Sequence, residues 1–299
     1  MSLIAAAGGE PAQGYQAIPL PRAPGDDAGL IATMVRRSCG RPSRRAVLYV
    51  HCLQDSYVQP DLAAWYLAHG FHFYVADLRA ARPRYRDATL AEYFGYLDSA
   101  ARQVRDLDGN KTVLVSAHQA GAVIAALWCH ARRHEPLAEA LILADPDFGP
   151  ELHWLYRLLG IRQPAQPGPG PRAQRGIAAG AQPGLATEAR PAGGVLPGYG
   201  AEARAPEVLP RAQRKLRRGL DISCPVLVMS PSAVNAAVPG AAYRAGPPAR
   251  LGPHVTSVRL ASAAPGLARP DQAARKRLYD ELSRWLGAYL SGEFRDQLL

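Results

Sequence analysis

Apolar positions along this chain switch between continuous runs and a helical spacing. Ala46-Val47-Leu48-Tyr49-Val50 is a short unbroken apolar run, the pattern of a strand buried on both faces of a parallel sheet. Runs and helical spacings then alternate: a helix at 60–69, a strand at 71–76, a helix at 89–107, a strand at 112–116, a helix at 120–133 and a strand at 139–144. That rhythm predicts right-handed crossovers and a mostly parallel sheet covered by helices on both sides. The 89–107 helix is the best defined. Thr89 and Glu92 have capping-box spacing, Leu90, Phe94, Leu97, Ala101 and Val104 share a face, and Gly109 stops it. Upstream, Gly29 to Val35 reads as an early strand, and the Gly/Pro-rich residues 1–28 read as a flexible N-terminal arm.

Between 161 and 206 the pattern dissolves into Gly, Pro, Ala, Gln and Arg, with few large apolar anchors. It resumes with a basic helix at 207–219, a strand at Pro225–Met229, a strand at His254–Leu260 and a long helix from Asp271. In that last helix Ala274, Leu278, Leu282, Trp285 and Tyr289 line one face, which predicts docking on the sheet. The expected fold class is α/β, with a single core formed by 29–160 and 207–292 and interrupted by an insertion at 161–206.

Composition supports a globular chain: 299 residues, 48% of them hydrophobic, suffice for a sizeable core. No run of eighteen apolar residues exists and the N-terminus has no signal-peptide pattern, so membrane insertion is not expected and the chain reads as cytoplasmic. Cys39, Cys52, Cys129 and Cys224 are scattered without a C-x-x-C, which predicts neither a metal site nor a disulfide framework. The net charge of +10 raises the question of nucleic acid. Yet only three of the thirty-five basic residues are lysine, amid abundant Ala, Gly, Pro and Arg, the mark of a GC-rich coding sequence. The densest basic run, Arg211 to Arg218, is either a solvated helix face or a site for an anionic partner. No aromatic residue interleaves with it, so nucleic acid is not expected. Without a G-x-G-x-x-G or a P-loop, no cofactor is implied.

The informative segment is Thr112-Val113-Leu114-Val115-Ser116-Ala117-His118-Gln119-Ala120-Gly121-Ala122, a buried strand running through small residues into a helix. This is the strand-turn-helix setting of the G-x-S-x-G nucleophile elbow, with Ala117 and Gly121 at the flanking positions and Gln119 at the nucleophile position. Four further segments accompany it: Val50-His51-Cys52-Leu53, Tyr74-Val75-Ala76-Asp77-Leu78-Arg79, Pro225-Val226-Leu227-Val228 and Tyr279-Asp280-Glu281-Leu282-Ser283-Arg284-Trp285-Leu286. With these motifs the chain resembles α/β-hydrolases of the lysophospholipase, monoglyceride-lipase and serine-aminopeptidase type, most closely actinobacterial members. The resemblance covers Val47 to Ala144 and Gly219 to Leu290. It implies the α/β-hydrolase fold, with 161–206 at the lid position, and a Ser-acid-His triad.

The departures from that pattern coincide. Gln119 replaces the serine, the acid position falls near Ala236 in a stretch without an acid, and the histidine position falls on Pro265. The histidine must deprotonate the serine and the acid must orient the histidine. Loss of the serine or histidine alone costs about 10⁶ in kcat in a well-studied protease. Three losses at separated places therefore predict a pseudo-hydrolase.

Other residues remain as pocket candidates. The resemblance puts the amides of Leu53 and Ala120 at the oxyanion-donor positions, and backbone donors survive side-chain change. Cys52 replaces a family glycine beside them and either crowds that hole or serves as a relocated nucleophile with His51 or His118 as its base. Gln54, Asp55, Tyr57 and Gln59 lie in the loop after the first core strand, at the expected pocket mouth. His118 is expected to pack behind the elbow. Asp145, Asp147 and His153 follow the 139–144 strand at its C-terminal end, where open α/β sheets bind ligands, and an acid–histidine pair there could move a proton without a nucleophile. Gln119 can donate and accept hydrogen bonds but cannot attack; it either fills the old pocket or orients a ligand. Three functions stay open: a non-catalytic role with a small-molecule ligand, a protein partner or a homodimer; a lyase, isomerase or cyclase of secondary metabolism; and a hydrolase with a relocated nucleophile.

Overall fold

Strands form where the apolar runs lie, because a segment with no polar face can be buried only between two covering layers. The structure, a computed structural model, describes residues 14–20, 33–50, 60–78, 88–146, 148, 208–231, 250–260 and 272–290. In chain order these form β1 (Gln16–Pro19), β2 (Thr33–Arg37), β3 (Arg45–Val50), α1 (Pro60–Ala68), β4 (His72–Ala76), α2 (Leu90–Arg102), β5 (Thr112–His118), α3 (Gln119–Ala131) and β6 (Ala140–Ala144). After these come α4 (Val208–Leu216), β7 (Val226–Pro231), β8 (Val255–Leu260) and α5 (Gln272–Tyr289). The strands make one eight-stranded sheet in the order β1-β2-β4-β3-β5-β6-β7-β8. From β4 to β8 every pairing is parallel, while β1 and β2 join the edge antiparallel. Strands β6 and β7 flank the 161–206 stretch in sequence yet pair directly, Leu141 opposite Val226.

Several boundaries differ from the sequence expectation, each for a pairing reason. Residues 16–19 fall inside the stretch read as an arm, yet they form β1, an edge strand paired with β2. Strand β2 continues to Arg37 because Arg36 and Arg37 still pair with Tyr74 and Phe73. Strand β5 extends past residue 116 because Ala117 pairs with Val50 and His118 with Ala144.

Side-chain alternation along the strands divides the core in two. Ala46, Leu48 and Val50 of β3 and Val113, Val115 and Ala117 of β5 face α2, α3 and α4. Val47 and Tyr49 of β3 and Leu114 of β5 face α1 and α5. Helix α3 is alanine-rich on its inner surface, with Ala122, Ala125 and Ala126 fully buried, so its backbone can lie close to the strands. On the other side α1 and α5 are neighbours, with the Trp65 and Tyr279 rings stacked at 5.7 Å between centroids. Ala274, Leu278, Leu282 and Trp285 of α5 are buried as expected, and Trp285 Nε1 donates to Thr256 Oγ1 at 3.0 Å. Tyr289 is 44% exposed instead; Leu286 takes the buried place and Tyr289 packs on the Trp285 ring.

The capping box on α2 forms as its spacing predicts: Thr89 N donates to Glu92 Oε2 at 2.7 Å and Glu92 N to Thr89 Oγ1 at 3.3 Å. The last part of that helix does not stay α. It widens into a π turn over Gln103–Leu107, closed by Asp108 N donating to Gln103 O at 3.0 Å. A buried polar cluster accounts for the change. Tyr74 Oη donates to Asp108 Oδ2 at 2.6 Å, Gln103 Nε2 to Asp108 Oδ1 at 3.1 Å and Asn110 Nδ2 to Val104 O at 2.8 Å, with Arg36 also on Asp108. Desolvated polar groups need partners, and one extra residue in the turn delivers Asp108 and Asn110 to them.

That cluster gives the fold an alkaline limit. Burial, reinforced by the Asp108 carboxylate, pushes the Tyr74 hydroxyl up to about 12, and burial raises Tyr66 and Tyr96 as well. An unfolded phenol ionises near pH ~10. Between there and the folded value the unfolded chain has released protons that the folded chain keeps, so stability falls as pH rises. Urea midpoints are therefore expected to hold their value from these groups below about pH 10 and to drop above it. Tyrosinate absorbance at 295 nm should develop for these three only as the protein unfolds; ordinary titration of all three in the folded protein would contradict this account.

Candidate functional site

The site is built at the C-terminal end of the central strands. Strand β5 runs between β3 and β6 with every residue after Thr112 buried, and His118 is still extended at φ −131° and ψ 140°. At Gln119 the backbone turns to φ 48° and α3 begins. A non-glycine residue in the left-handed region costs roughly 1–2 kcal/mol. A strand that must reverse into a helix within one residue requires that conformation, and it lifts that one residue above the sheet. Ala117, Ala120 and Gly121 around it are buried and small, leaving room for the helix to pass the strand ends. The Ala120 amide belongs to the first turn of α3, whose N–H groups have no intrahelical acceptor.

A second left-handed residue stands beside the first. His118 pairs with Ala144 across β5 and β6, so Gln119 and Asp145, each one residue further on, end neighbouring strands side by side. Asp145 has φ 47°, is only 2% exposed, and its amide donates to Met229 O at 2.7 Å. These two are the non-glycine residues with positive φ among the described residues. The structure thus brings together Gln119, Ala120 and Asp145 from the sequence-predicted set.

His118 goes elsewhere. Being one residue before Gln119 on the strand, it lies on the α1/α5 face, where with Tyr49, Tyr66, Ser116, Leu278 and Leu282 it lines a cavity of about 10 Å³. That is the size of one water and too small for an organic ligand. The Tyr66 hydroxyl at this cavity faces Ser116 without a hydrogen bond of good geometry, and its pKa is raised by burial, with Ser116 offsetting part of the rise. His118 thus lies on the face of β5 turned toward α1 and α5. Tyr66 and Ser116 were missed by sequence reasoning: Tyr66 reads as helix core, and the one usable signal was a serine inside a buried strand, which needs a polar neighbour.

Cys52, Leu53, Gln54, Asp55, Tyr57, Gln59, Asp147, His153, Ala236 and Pro265 lie outside the described residues. Among the described residues no group of three His, Cys, Asp or Glu side chains could hold a metal ion, and no helix is long and apolar enough to cross a membrane.

The turn at residue 119 gives a direct backbone test. Gln119→Gly and Gln119→Ala both remove the amide and differ only in the Cβ that the left-handed conformation penalises. The glycine variant is expected to be more stable by about 1 kcal/mol in urea unfolding. Equal stabilities would mean that the turn relaxes to negative φ.

The parallel sheet, its order and the elbow between β5 and α3 define the α/β-hydrolase fold. Solved structures agree with that fold. Est1E from Butyrivibrio proteoclasticus is 12% identical with a TM-score of 0.55, over 92% of this chain and 99% of that one. A highly thermostable carboxyl esterase from Bacillus coagulans is 12% identical with a TM-score of 0.55, over 93% and 99%. A soluble variant of monoglyceride lipase from Saccharomyces cerevisiae is 13% identical with a TM-score of 0.53, over 87% and 93%. No family model matches the chain, and no match is found among curated proteins.

Proposed function

We propose that this chain is a pseudo-hydrolase: an α/β-hydrolase-fold protein that binds a small molecule or a protein partner without acyl transfer. The carrying observation is Gln119 at the left-handed turn between β5 and α3, where the elbow presents an amide in place of a nucleophile. Sequence content supports the same reading. No Asp or Glu occurs between Asp221 and Asp271, and no histidine follows His254, so the segments where such folds carry their acid and base hold neither. A scaffold outlasts its chemistry because core packing, which the triad does not supply, holds the sheet and helices together.

The test is chemical. A serine-reactive fluorophosphonate probe and a panel of p-nitrophenyl esters should give neither labelling nor turnover with the purified protein. Stoichiometric labelling, or turnover lost in Cys52→Ala, would overturn the proposal in favour of a relocated nucleophile. A thermal-shift screen against metabolites then identifies the ligand class.

One observation favours a second reading, a non-hydrolytic enzyme. Backbone strain concentrates at working sites, and here two strained residues adjoin, one of them a buried carboxyl group that can carry a proton. On that reading Asp145→Asn abolishes turnover of the metabolite found in the screen while leaving its binding intact.

A further inference from the structure

Away from the elbow, the fold brings together two cysteines that the sequence spaces far apart. Cys129 stands in the last turn of α3 and Cys224 just before β7, and they are 7% and 9% exposed within one core cluster. The backbone around them is tied on both sides. Asp221 N donates to His130 Nδ1 at 2.9 Å, and Leu141 N of β6 donates to Pro225 O at 2.9 Å. The thiols themselves are in contact, Cys129 donating to Cys224. By contrast Cys39 is half-buried and its Sγ donates to Arg41 O at 3.3 Å.

We propose that Cys129 and Cys224 form a reversible disulfide, a modification site driven by low-molecular-weight disulfides of the oxidised-glutathione class. The roles of the sulfurs follow from their surroundings. The hydrogen bond to Cys224, with burial, holds the Cys129 thiol well above its ordinary value, and the carbonyl end of α3 opposes a thiolate there. The same bond from Cys129 lowers Cys224 against the effects of burial and of Glu139. Because Cys129 sits at the carbonyl end of α3, which opposes a thiolate, Cys224 is the attacking thiolate and Cys129 the resolving thiol.

In the first step the Cys224 sulfur attacks one sulfur of the small disulfide, forming a mixed disulfide and releasing one small thiol. Cys129 then loses its proton, attacks Cys224 Sγ and displaces the second small thiol. Two cysteine thiols are oxidised by two electrons, and one external disulfide is reduced to two thiols, which take up both protons. Oxidation would fasten the far end of the elbow helix to the start of β7 and close the loop from residue 129 to residue 224.

The experiment uses the whole protein. Folded protein is incubated with oxidised glutathione, denatured in the presence of an alkylating agent, digested without reductant and mapped by mass spectrometry. The expected result is a cross-linked peptide pair joining residues 129 and 224, reversed by dithiothreitol, formed equally in Cys39→Ser and absent in Cys224→Ser. The melting temperature should rise by about 5 °C on oxidation of the wild type. Recovery of both cysteines alkylated, separate glutathione adducts on each, or cross-linking only after denaturation would overturn the proposal. Mapping the wild type requires no substitution, so a poorly folding variant cannot obscure the outcome.

Discussion

Gln119→Ser is expected to raise esterase activity no further than roughly 10³–10⁴ over water, although it places a serine at the turn between β5 and α3. The backbone already holds position 119 at φ 48°, so a serine there would be presented above the sheet as a nucleophile elbow presents it. Position is not activation. A serine hydroxyl attacks only when a histidine takes its proton and an acid holds that histidine, and the chain has no histidine after His254 and no acid between Asp221 and Asp271. Where triad members are removed from a working protease, a residual rate of roughly 10³–10⁴ over water persists through the oxyanion hole and binding. The variant should not exceed that range with p-nitrophenyl esters, and fluorophosphonate labelling should stay slow and substoichiometric. Rapid labelling would show that a base reaches residue 119 from another part of the fold, and would move attention to Asp145 on the neighbouring strand.

The largest effect on stability is expected from Trp128→Ala. Trp128 is 1% exposed on the inner side of α3, and its Nε1 donates to Asp98 Oδ1 of α2 at 2.9 Å. Asp98 also accepts from Arg132 Nε at 2.8 Å and from a second Arg132 nitrogen, so one indole and one guanidinium hold a nearly buried carboxylate between the two helices. Deleting the ring removes a large apolar surface and leaves a cavity, at a cost of about 3–5 kcal/mol. Trp128→Phe narrows the comparison, since it keeps a buried six-membered ring and loses the donor with a smaller part of the apolar volume, for about 1–3 kcal/mol. Urea unfolding of both variants checks the order. Similar losses for the two would mean that α2 and α3 close over the deleted ring.

Much of this architecture is legible in the sequence because its causes are local. The continuous run at 46–50 and the helical spacing at 89–107 predict a buried strand and an amphipathic helix whatever their neighbours are. Thr89 and Glu92 cap α2 because they are three residues apart on the same turn. What fails is what depends on distant partners. The π turn after Arg102 exists because Tyr74 and Arg36, far away in sequence, claim Asp108. The sequence does not expose that competition. Likewise the pairing of β1 is decided at the edge of the sheet, where β2 offers it a partner.

The candidate site divides in the same way. That residue 119 is a glutamine in an elbow between small residues is a statement about adjacent letters, and the sequence alone determines it. So too does it determine that no acid lies between Asp221 and Asp271 and that no histidine follows His254. Only the tertiary structure decides that Asp145 stands next to Gln119, that His118 faces α1 and α5 with Tyr66, and that Cys129 meets Cys224. Each of those follows from strand register and helix crossovers, which join residues that no local pattern connects.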